Sequence, residues 1–186
     1  ETVVGGPSLP PGARVMTLEN PETFYRSEAL QGQADVFLLC GTGGRLREAF
    51  IQWLAAQETL TVLHFGDFDP VGLQEFTRLL EAMPGRVALH LPDDLEACFK
   101  RYSNRALLEA PANRAVLAAL PRGLSPAMDR VLDLMAIHGP LEQEAFLIQR
   151  GQEPGGGTIT SSPGCQVAGV AMNAGARAHP CDSSRG

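Results

Sequence analysis

The sequence predicts an α/β domain, with a parallel four-stranded sheet flanked by helices and a helical C-terminal part. Between residues 13 and 91, short apolar segments alternate with longer amphipathic ones, a pattern typical of strands joined by right-handed helical crossovers. From residue 92 to residue 150 the apolar residues have helical spacing, and prolines and glycines divide this region into short helices. No internal repeat is visible, so we expect one domain.

The first two strands are predicted on either side of a short helix. Residues 13–19 (ARVMTLE) form the first strand, and a helix follows to about Leu30. Asn20 supplies an N-cap for this helix, and the proline and glutamate after it suit the first helical turn. Residues 35–40 (DVFLLC) are nearly continuously apolar, which indicates a strand buried on both faces. Residues 41–44 (GTGG) then predict a tight loop.

Two further strands follow, each after an amphipathic helix. An apolar stripe runs along the helix predicted for residues 45–57, and a second stripe runs along residues 70–83. The third and fourth strands are predicted over residues 60–66 (LTVLHFG) and 85–91 (GRVALHL). These elements complete the predicted four-stranded sheet.

Composition changes near residue 150. Residues 151–186 contain eight of the chain's 20 glycines and no aromatic residue, which predicts a disordered or foreign tail. The predicted domain therefore covers residues 13–150, after an N-terminal extension over residues 1–12. Because the chain begins at Glu1 rather than at a methionine, we expect this extension to be the start of a fragment.

Nothing in the sequence indicates a membrane segment or a secretory leader. It has no run of about 18 apolar residues, and no basic segment followed by an apolar one opens the chain. The four cysteines include no C-x-x-C pair, and Cys40 and Cys98 lie in apolar patterns that indicate buried thiols. These features predict a cytoplasmic protein in a reducing compartment.

Carboxylates follow the first and third predicted strands. Glu19 ends the first strand, and Asp67 and Asp69 follow the third, at the sheet edge where open parallel sheets collect their reactive groups. Two carboxylates this close repel each other, and a divalent cation would relieve the repulsion. Hard oxygen ligands favour Mg²⁺ or Mn²⁺. Asp69 also precedes a proline and is therefore expected to cap the next helix.

These residues resemble the Toprim domains of topoisomerases, bacterial primases and several nucleases. The resemblance lies in LENPETF (18–24), GTGG (41–44) and HFGDFDPVG (64–72). The phrase Gly-Asp-x-Asp-Pro-x-Gly is similar to the Toprim segment of the topoisomerase VI A subunit. A closer resemblance is to the C-terminal domain of JetD, the nuclease subunit of Wadjet plasmid-defence systems, which EQE (142–144) also resembles. The similarity covers roughly residues 13–148.

The resemblance implies a Rossmann-like Toprim sheet and a metal-dependent DNA endonuclease. Asp67 and Asp69 would bind one or two Mg²⁺ or Mn²⁺ ions. Glu19 would be a further metal ligand, or the general acid/base for hydrolysis of the phosphodiester. The metal ions would activate water and neutralise charge on the scissile phosphate.

Three further positions have two readings each. Glu144 would bind the second metal ion, or it is a solvated residue on a helix face. Gly43 and Gly44 would let backbone amides approach a phosphate, or they only make a tight connection. The two tyrosines, Tyr25 and Tyr102, lie in predicted helices of the domain, so direct hydrolysis is favoured over a tyrosine nucleophile.

The charge balance bears on the partners. The net charge is −6, and residues 1–150 carry all of this excess, which argues against a domain that holds nucleic acid by bulk electrostatics alone. DNA remains the substrate that the resemblance implies, and it would have to be presented by another protein. In Wadjet systems that partner is an SMC-like motor complex. Two copies of the chain, as a homodimer, would suit cleavage of two strands.

Two other functions stay open. Residues 62–71 also resemble the first motif of haloacid-dehalogenase-type phosphatases, with Asp67 as nucleophile and Asp69 as acid/base. That family needs a lysine, for which Lys100 is the one candidate, and it leaves Glu19 unexplained. A catalytically silent Toprim domain that docks a protein partner is the second alternative. His64, three residues before Asp67, is either a core histidine or a residue that supports the metal site.

Overall fold

The computed structural model of the protein describes residues 9–40 and 45–146, together with the backbone of residues 166 and 167. The strands are β1 (Arg14–Leu18), β2 (Val36–Leu39), β3 (Thr61–Phe65), β4 (Val87–Leu89) and β5 (Gln166–Val167). The helices are α1 (Pro21–Tyr25), α2 (Glu48–Ala55), α3 (Pro70–Ala82), α4 (Leu95–Tyr102), α5 (Pro111–Ala119) and α6 (Pro126–His138). Two 3₁₀ turns cover Ser27–Leu30 and Arg105–Glu109.

The strands form a parallel sheet in the order β4-β3-β1-β2-β5. The predicted α/β class, the four predicted strands and the helical C-terminal part are confirmed. The short β5 adds an edge strand beside β2, and the other residues of the predicted tail lie outside the described part of the chain. Because β1 pairs directly with β3, the two strands that carry the candidate carboxylates end side by side.

Apolar side chains fill both faces of the sheet. Val15 of β1 belongs to a buried cluster with Leu54 of α2, whereas the next residue, Met16, belongs to a second cluster with Phe99 of α4 and Val131 of α6. Successive residues of a strand point to opposite faces, so helices cover the sheet on both sides. This burial explains why the strand sequences are nearly continuously apolar.

The helix after β1 is shorter than predicted. It ends at Tyr25, and a 3₁₀ turn follows over Ser27–Leu30 where the sequence predicts one continuous helix. The change of geometry accompanies the burial of both Phe24 and Leu30 in one apolar cluster. The predicted N-cap is confirmed, since Asn20 Oδ1 accepts hydrogen bonds from the next two amides of α1, at 2.7 and 3.2 Å.

A charged pair with one fully buried member, Glu75, holds the chain just before α2. The fully buried Glu75 of α3 accepts a hydrogen bond from Leu46 N at 3.0 Å and pairs with Arg78. Arg78 in turn donates to Leu46 O at 2.9 Å and to Glu48 at 2.8 Å. Both backbone polar groups of Leu46 are therefore held by α3, immediately after the glycine-rich segment of residues 41–44.

Two features of the structure concern the predicted environment of the chain, namely the burial of its cysteines and the hydropathy of its helices. Cys40 and Cys98 are both buried thiols, as their sequence contexts predict. Burial raises the pKa of each thiol, to about 12 for Cys98, so neither is a ready nucleophile. Within the described residues, no helix combines the length and apolarity that a membrane span requires.

Candidate functional site

Glu19 lies at the carboxyl end of β1 and reaches over the end of β3. The parallel register pairs Leu18 with Phe65, so the residues that follow, Glu19 and Gly66, are neighbours. A Cβ atom on Gly66 would lie 2.7 Å from Glu19 Oε1 and 2.7 Å from His64 Nε2. Position 66 therefore requires glycine, because the side chains of Glu19 and His64 occupy the space that a Cβ atom would need.

Asp69 lies directly before α3, and its predicted role as the N-cap of that helix is confirmed. Its Oδ1 accepts a hydrogen bond from Gly72 N at 2.6 Å, and Pro70 takes the first helical position. Gly72 has no room for a Cβ atom, which would collide with the carbonyl group of Asp67. Burial and the charge of Glu19 raise the pKa of Asp69, while its bond to Gly72 acts in the opposite direction.

Gln143, from the segment after α6, joins the ends of β1 and β3. Its backbone N–H donates to Asp67 Oδ1 at 2.8 Å. Its side chain donates to Phe65 O at 2.9 Å and accepts from Asn20 N at 3.1 Å, and it is fully buried. A single residue therefore satisfies one backbone group at each strand end and fixes the first aspartate.

The rest of this C-terminal segment docks on the same edge. Leu141 and Phe68 exchange two backbone hydrogen bonds, of 2.8 and 3.0 Å, in an antiparallel bridge. Phe146 packs edge-on against Phe68, with ring centroids 5.6 Å apart. Glu144 lies in a turn rather than on a helix face, and its carboxylate accepts a hydrogen bond from the Asn20 side chain. Segment 141–146 is thus part of the site.

The four predicted carboxylates come together around Asp67. Its pKa rises from 3.8 to about 7, first because the group is buried and then because of the negative charges of Glu19, Asp69 and Glu144. The backbone hydrogen bond from Gln143 offsets part of this rise. Clustered carboxylates with a raised pKa are typical of functional sites, because folding alone gains nothing from them.

Sequence reasoning did not single out Gln143. Its signal is the position between two glutamates in EQE (142–144), a segment quoted only for its resemblance. Gly43 and Gly44, the predicted phosphate-binding residues, lie outside the described part of the chain.

Lys100, which the phosphatase alternative requires, is exposed in the last turn of α4. The charged group that acts on Asp67 from the end of β1 is Glu19, and the phosphatase alternative assigns no role to this residue.

The donor set suits a hard divalent cation. The converging groups are carboxylates, and Glu19 Oε1 is buried without a hydrogen-bond partner among the described residues. Over residues 9–40 and 45–146, no group of three or more His, Cys, Asp or Glu side chains is already arranged around one point as a metal cage. The chemistry of the residues fits Mg²⁺ or Mn²⁺, and the metal site itself stays a prediction.

One of three comparisons with known proteins identifies a family for the chain. No curated protein and no solved structure matches the chain. A family model described as Wadjet protein JetD, C-terminal, matches residues 7–151, which include β1 to β4, all six helices and the four carboxylates. The resemblance to the JetD C-terminal domain is confirmed, and with it a role in Wadjet defence, whereas the Toprim assignment stays a prediction. The chain belongs to the Wadjet protein JetD C-terminal family.

Proposed function

We propose that the chain is the catalytic module of a Mg²⁺- or Mn²⁺-dependent Toprim nuclease that hydrolyses DNA phosphodiesters in a Wadjet-type anti-plasmid complex. The observation that carries this proposal is the cluster around Asp67. Partial burial, and after it the negative charges of three other carboxylates, raise the pKa of Asp67 to about 7, and three separate chain segments hold these groups together. Such a cluster is costly for folding, and cation binding would relieve it.

Asp67, Asp69 and Glu19 would hold the cation, with Glu144 close by. When bound, Mg²⁺ or Mn²⁺ would neutralise charge on the scissile phosphate and help to activate a water molecule. The chain's own contribution is to fix its ligands before the cation arrives. The backbone of Gln143 orients Asp67, and the helix cap orients Asp69. Rigid ligands of this kind lose little entropy on binding.

Glu19 differs from the two aspartates in its surroundings. Its side chain is 9% exposed and lies 3.2 Å from a fully buried histidine. Among the described residues Glu19 Oε1 accepts no hydrogen bond, whereas a backbone amide holds one carboxylate oxygen of each aspartate. We therefore assign to Glu19 either a direct place on the cation or the general acid/base role in the hydrolysis.

The acidic chain needs help to hold DNA. Thirteen basic residues face nineteen acidic ones in residues 1–150, so few phosphate contacts are available to it. We propose that SMC-like motor subunits of the Wadjet complex deliver the DNA, and that a second copy of the chain supplies the site for the opposite strand. The domain on its own would then have little nuclease activity.

The decisive experiment measures plasmid cleavage by the complex reconstituted from the partner subunits and this chain. The variants are Asp67→Asn and Glu19→Gln, and the matched control is Glu22→Gln, which changes a carboxylate that is 53% exposed on α1. We expect both site variants to lose about 100-fold or more of the cleavage rate, as removal of a metal or acid/base group does. The control should cleave like the wild type.

Two results would redirect the assignment. If both site variants assemble and cleave plasmid at the wild-type rate, the domain is a docking module and the nuclease proposal fails. If Glu19→Gln keeps turnover of a small phosphate ester such as p-nitrophenyl phosphate while Asp67→Asn loses it, the phosphatase alternative replaces the nuclease.

A further inference from the structure

His64 is held rigidly inside the fold beside the carboxylate cluster. It lies on β3 directly opposite Thr17 of β1 in the parallel register, and both side chains are fully buried. Thr17 Oγ1 lies 2.8 Å from His64 Nδ1. The imidazole also stacks on Phe76 of α3, with centroids 6.2 Å apart and planes 10° from parallel. The ring plane and one ring nitrogen are therefore fixed from two sides.

The other ring nitrogen faces the active-site glutamate. His64 Nε2 lies 3.2 Å from Glu19 Oε1, short of full hydrogen-bond geometry. Neither atom has another hydrogen-bond partner among the described residues. Two buried polar atoms at this distance either form a hydrogen bond with each other or have no partner. Leaving both without a partner would cost free energy of folding. The two atoms can approach each other because Gly66 has no Cβ atom; a Cβ at this position would lie 2.7 Å from each of them.

We propose that His64 is a positioning residue that holds the Glu19 carboxylate at the sheet edge through its Nε2–H. A carboxylate only accepts hydrogen bonds, so the nitrogen that faces it has to carry the proton. In the neutral ring Nδ1 is then an acceptor, and the Thr17 hydroxyl is the group placed to donate to it. The carboxylate thus selects the tautomer, and the Thr17 hydroxyl, which can donate to Nδ1, helps to hold the ring that orients Glu19.

This inference rests on the proposed function only where it gives Glu19 a part in the chemistry. The arrangement itself is a chain of three groups, Thr17, His64 and Glu19. It requires the proton of the neutral imidazole to be on Nε2. A histidine that merely filled the core would not need a proton on the nitrogen that faces Glu19. Its replacement by glutamine or asparagine would also have the same effect on the site.

The first test reads the tautomer of His64 by ¹⁵N NMR of the full 186-residue chain, labelled at histidine, at pH 8. The spectrum of His64→Gln identifies the signal among the four histidines. We expect a neutral ring protonated at Nε2 in the wild type, and a mixture of tautomers in Glu19→Ala, which removes the acceptor that faces Nε2. A ring protonated at Nδ1, a ring protonated at both nitrogens, or a Glu19→Ala spectrum identical to the wild type would overturn the proposal.

The second test measures Mn²⁺ affinity by calorimetry, with melting curves to show that each variant folds. Glutamine at position 64 can place an amide nitrogen near the site of Nε2, whereas asparagine reaches only as far as Nδ1. We expect His64→Asn to bind Mn²⁺ about 10- to 100-fold more weakly and His64→Gln to stay within about threefold of the wild type. His138→Asn, in the last turn of α6, is the control and should bind normally.

The outcomes separate this inference from the proposed function. Equal affinities for His64→Asn and His64→Gln, whether both normal or both weakened, would show that the Nε2 position does not matter and would overturn the positioning role. If the wild type binds no Mn²⁺ at all, the metal-dependent nuclease fails, and the tautomer measurement still decides whether His64 donates to Glu19.

Discussion

Replacing Asp67 with asparagine should make the cation-free protein more stable at neutral pH. The pKa of Asp67 rises from 3.8 to about 7 on folding, because the group is buried and because Glu19, Asp69 and Glu144 repel its charge. Between these two pH values the folded state binds more protons than the unfolded state. The free energy of unfolding therefore falls as the pH rises through this window, and it stays low above pH 7.

The size of the effect follows from the two pKa values. Each pH unit between them is worth about 1.4 kcal/mol, so the full window corresponds to about 4 kcal/mol. Because Asp67 is partly exposed and solvent screens its neighbours, about 2–4 kcal/mol is the realistic range. Asparagine carries no charge and keeps the oxygen that accepts the hydrogen bond from Gln143 N. The variant should gain this amount at pH 8.

The assay is urea and thermal unfolding at pH 4.5 and pH 8, with and without Mn²⁺. At pH 8 without cation, Asp67→Asn should melt about 5–15 °C above the wild type, and most of the gain should vanish at pH 4.5. Mn²⁺ should stabilise the wild type more than the variant and so narrow the gap. Asp133→Asn changes a 67% exposed carboxylate on α6 and serves as the control.

A gain that is the same at both pH values would refute the electrostatic origin of the effect. An Asp67→Asn protein no more stable than the wild type at pH 8 would refute the strained carboxylate cluster itself. Either result would also remove the main support for a cation site at this position, whatever the cleavage assay shows.

The remaining predictions concern the packing around the site. Gly66→Ala should cost about 1–3 kcal/mol in urea unfolding and should weaken Mn²⁺ binding, because its Cβ displaces Glu19 and His64; wild-type affinity would contradict the steric reasoning. Gln143→Leu should cost about 2–5 kcal/mol, because it leaves buried backbone groups unpaired at two strand ends; a cost below about 1 kcal/mol would show that water replaces the amide. Arg78→Met should cost about 3–5 kcal/mol at pH 7 by leaving the buried carboxylate of α3 without its partner, and a neutral effect would contradict that pairing.

The sheet could be predicted from the sequence because each strand is a short apolar run between polar turns. The two faces of β1 carry Val15 and Met16, and both had to be apolar once helices covered both sides. The helix ends were less predictable. The helix after β1 stops at Tyr25 because Phe24 and Leu30 both enter the core, and this is decided by packing that no local pattern reveals.

The candidate site shows the same division. Asp67 and Asp69 could be found because they lie two positions apart and follow a buried strand, and Glu19 because it ends another strand. The partner of Asp67, Gln143, lies 76 residues away and uses its backbone, so nothing in its local sequence points to the contact. His64 stands opposite Thr17 only through the pairing of β1 with β3, which is a property of the folded sheet.

The position of Gln143 changes how the helical C-terminal part should be understood. Helices α4 to α6 cover one face of the sheet, and the chain then returns to the edge where β1 and β3 end. The bridge between Phe68 and Leu141 and the bond from Gln143 to Asp67 are made only after this return. The carboxylate cluster is therefore completed by residues 141–146 rather than by the sheet alone. The match to the JetD family runs through this segment to residue 151, so the part of the chain that belongs to the family includes the residues that close the site.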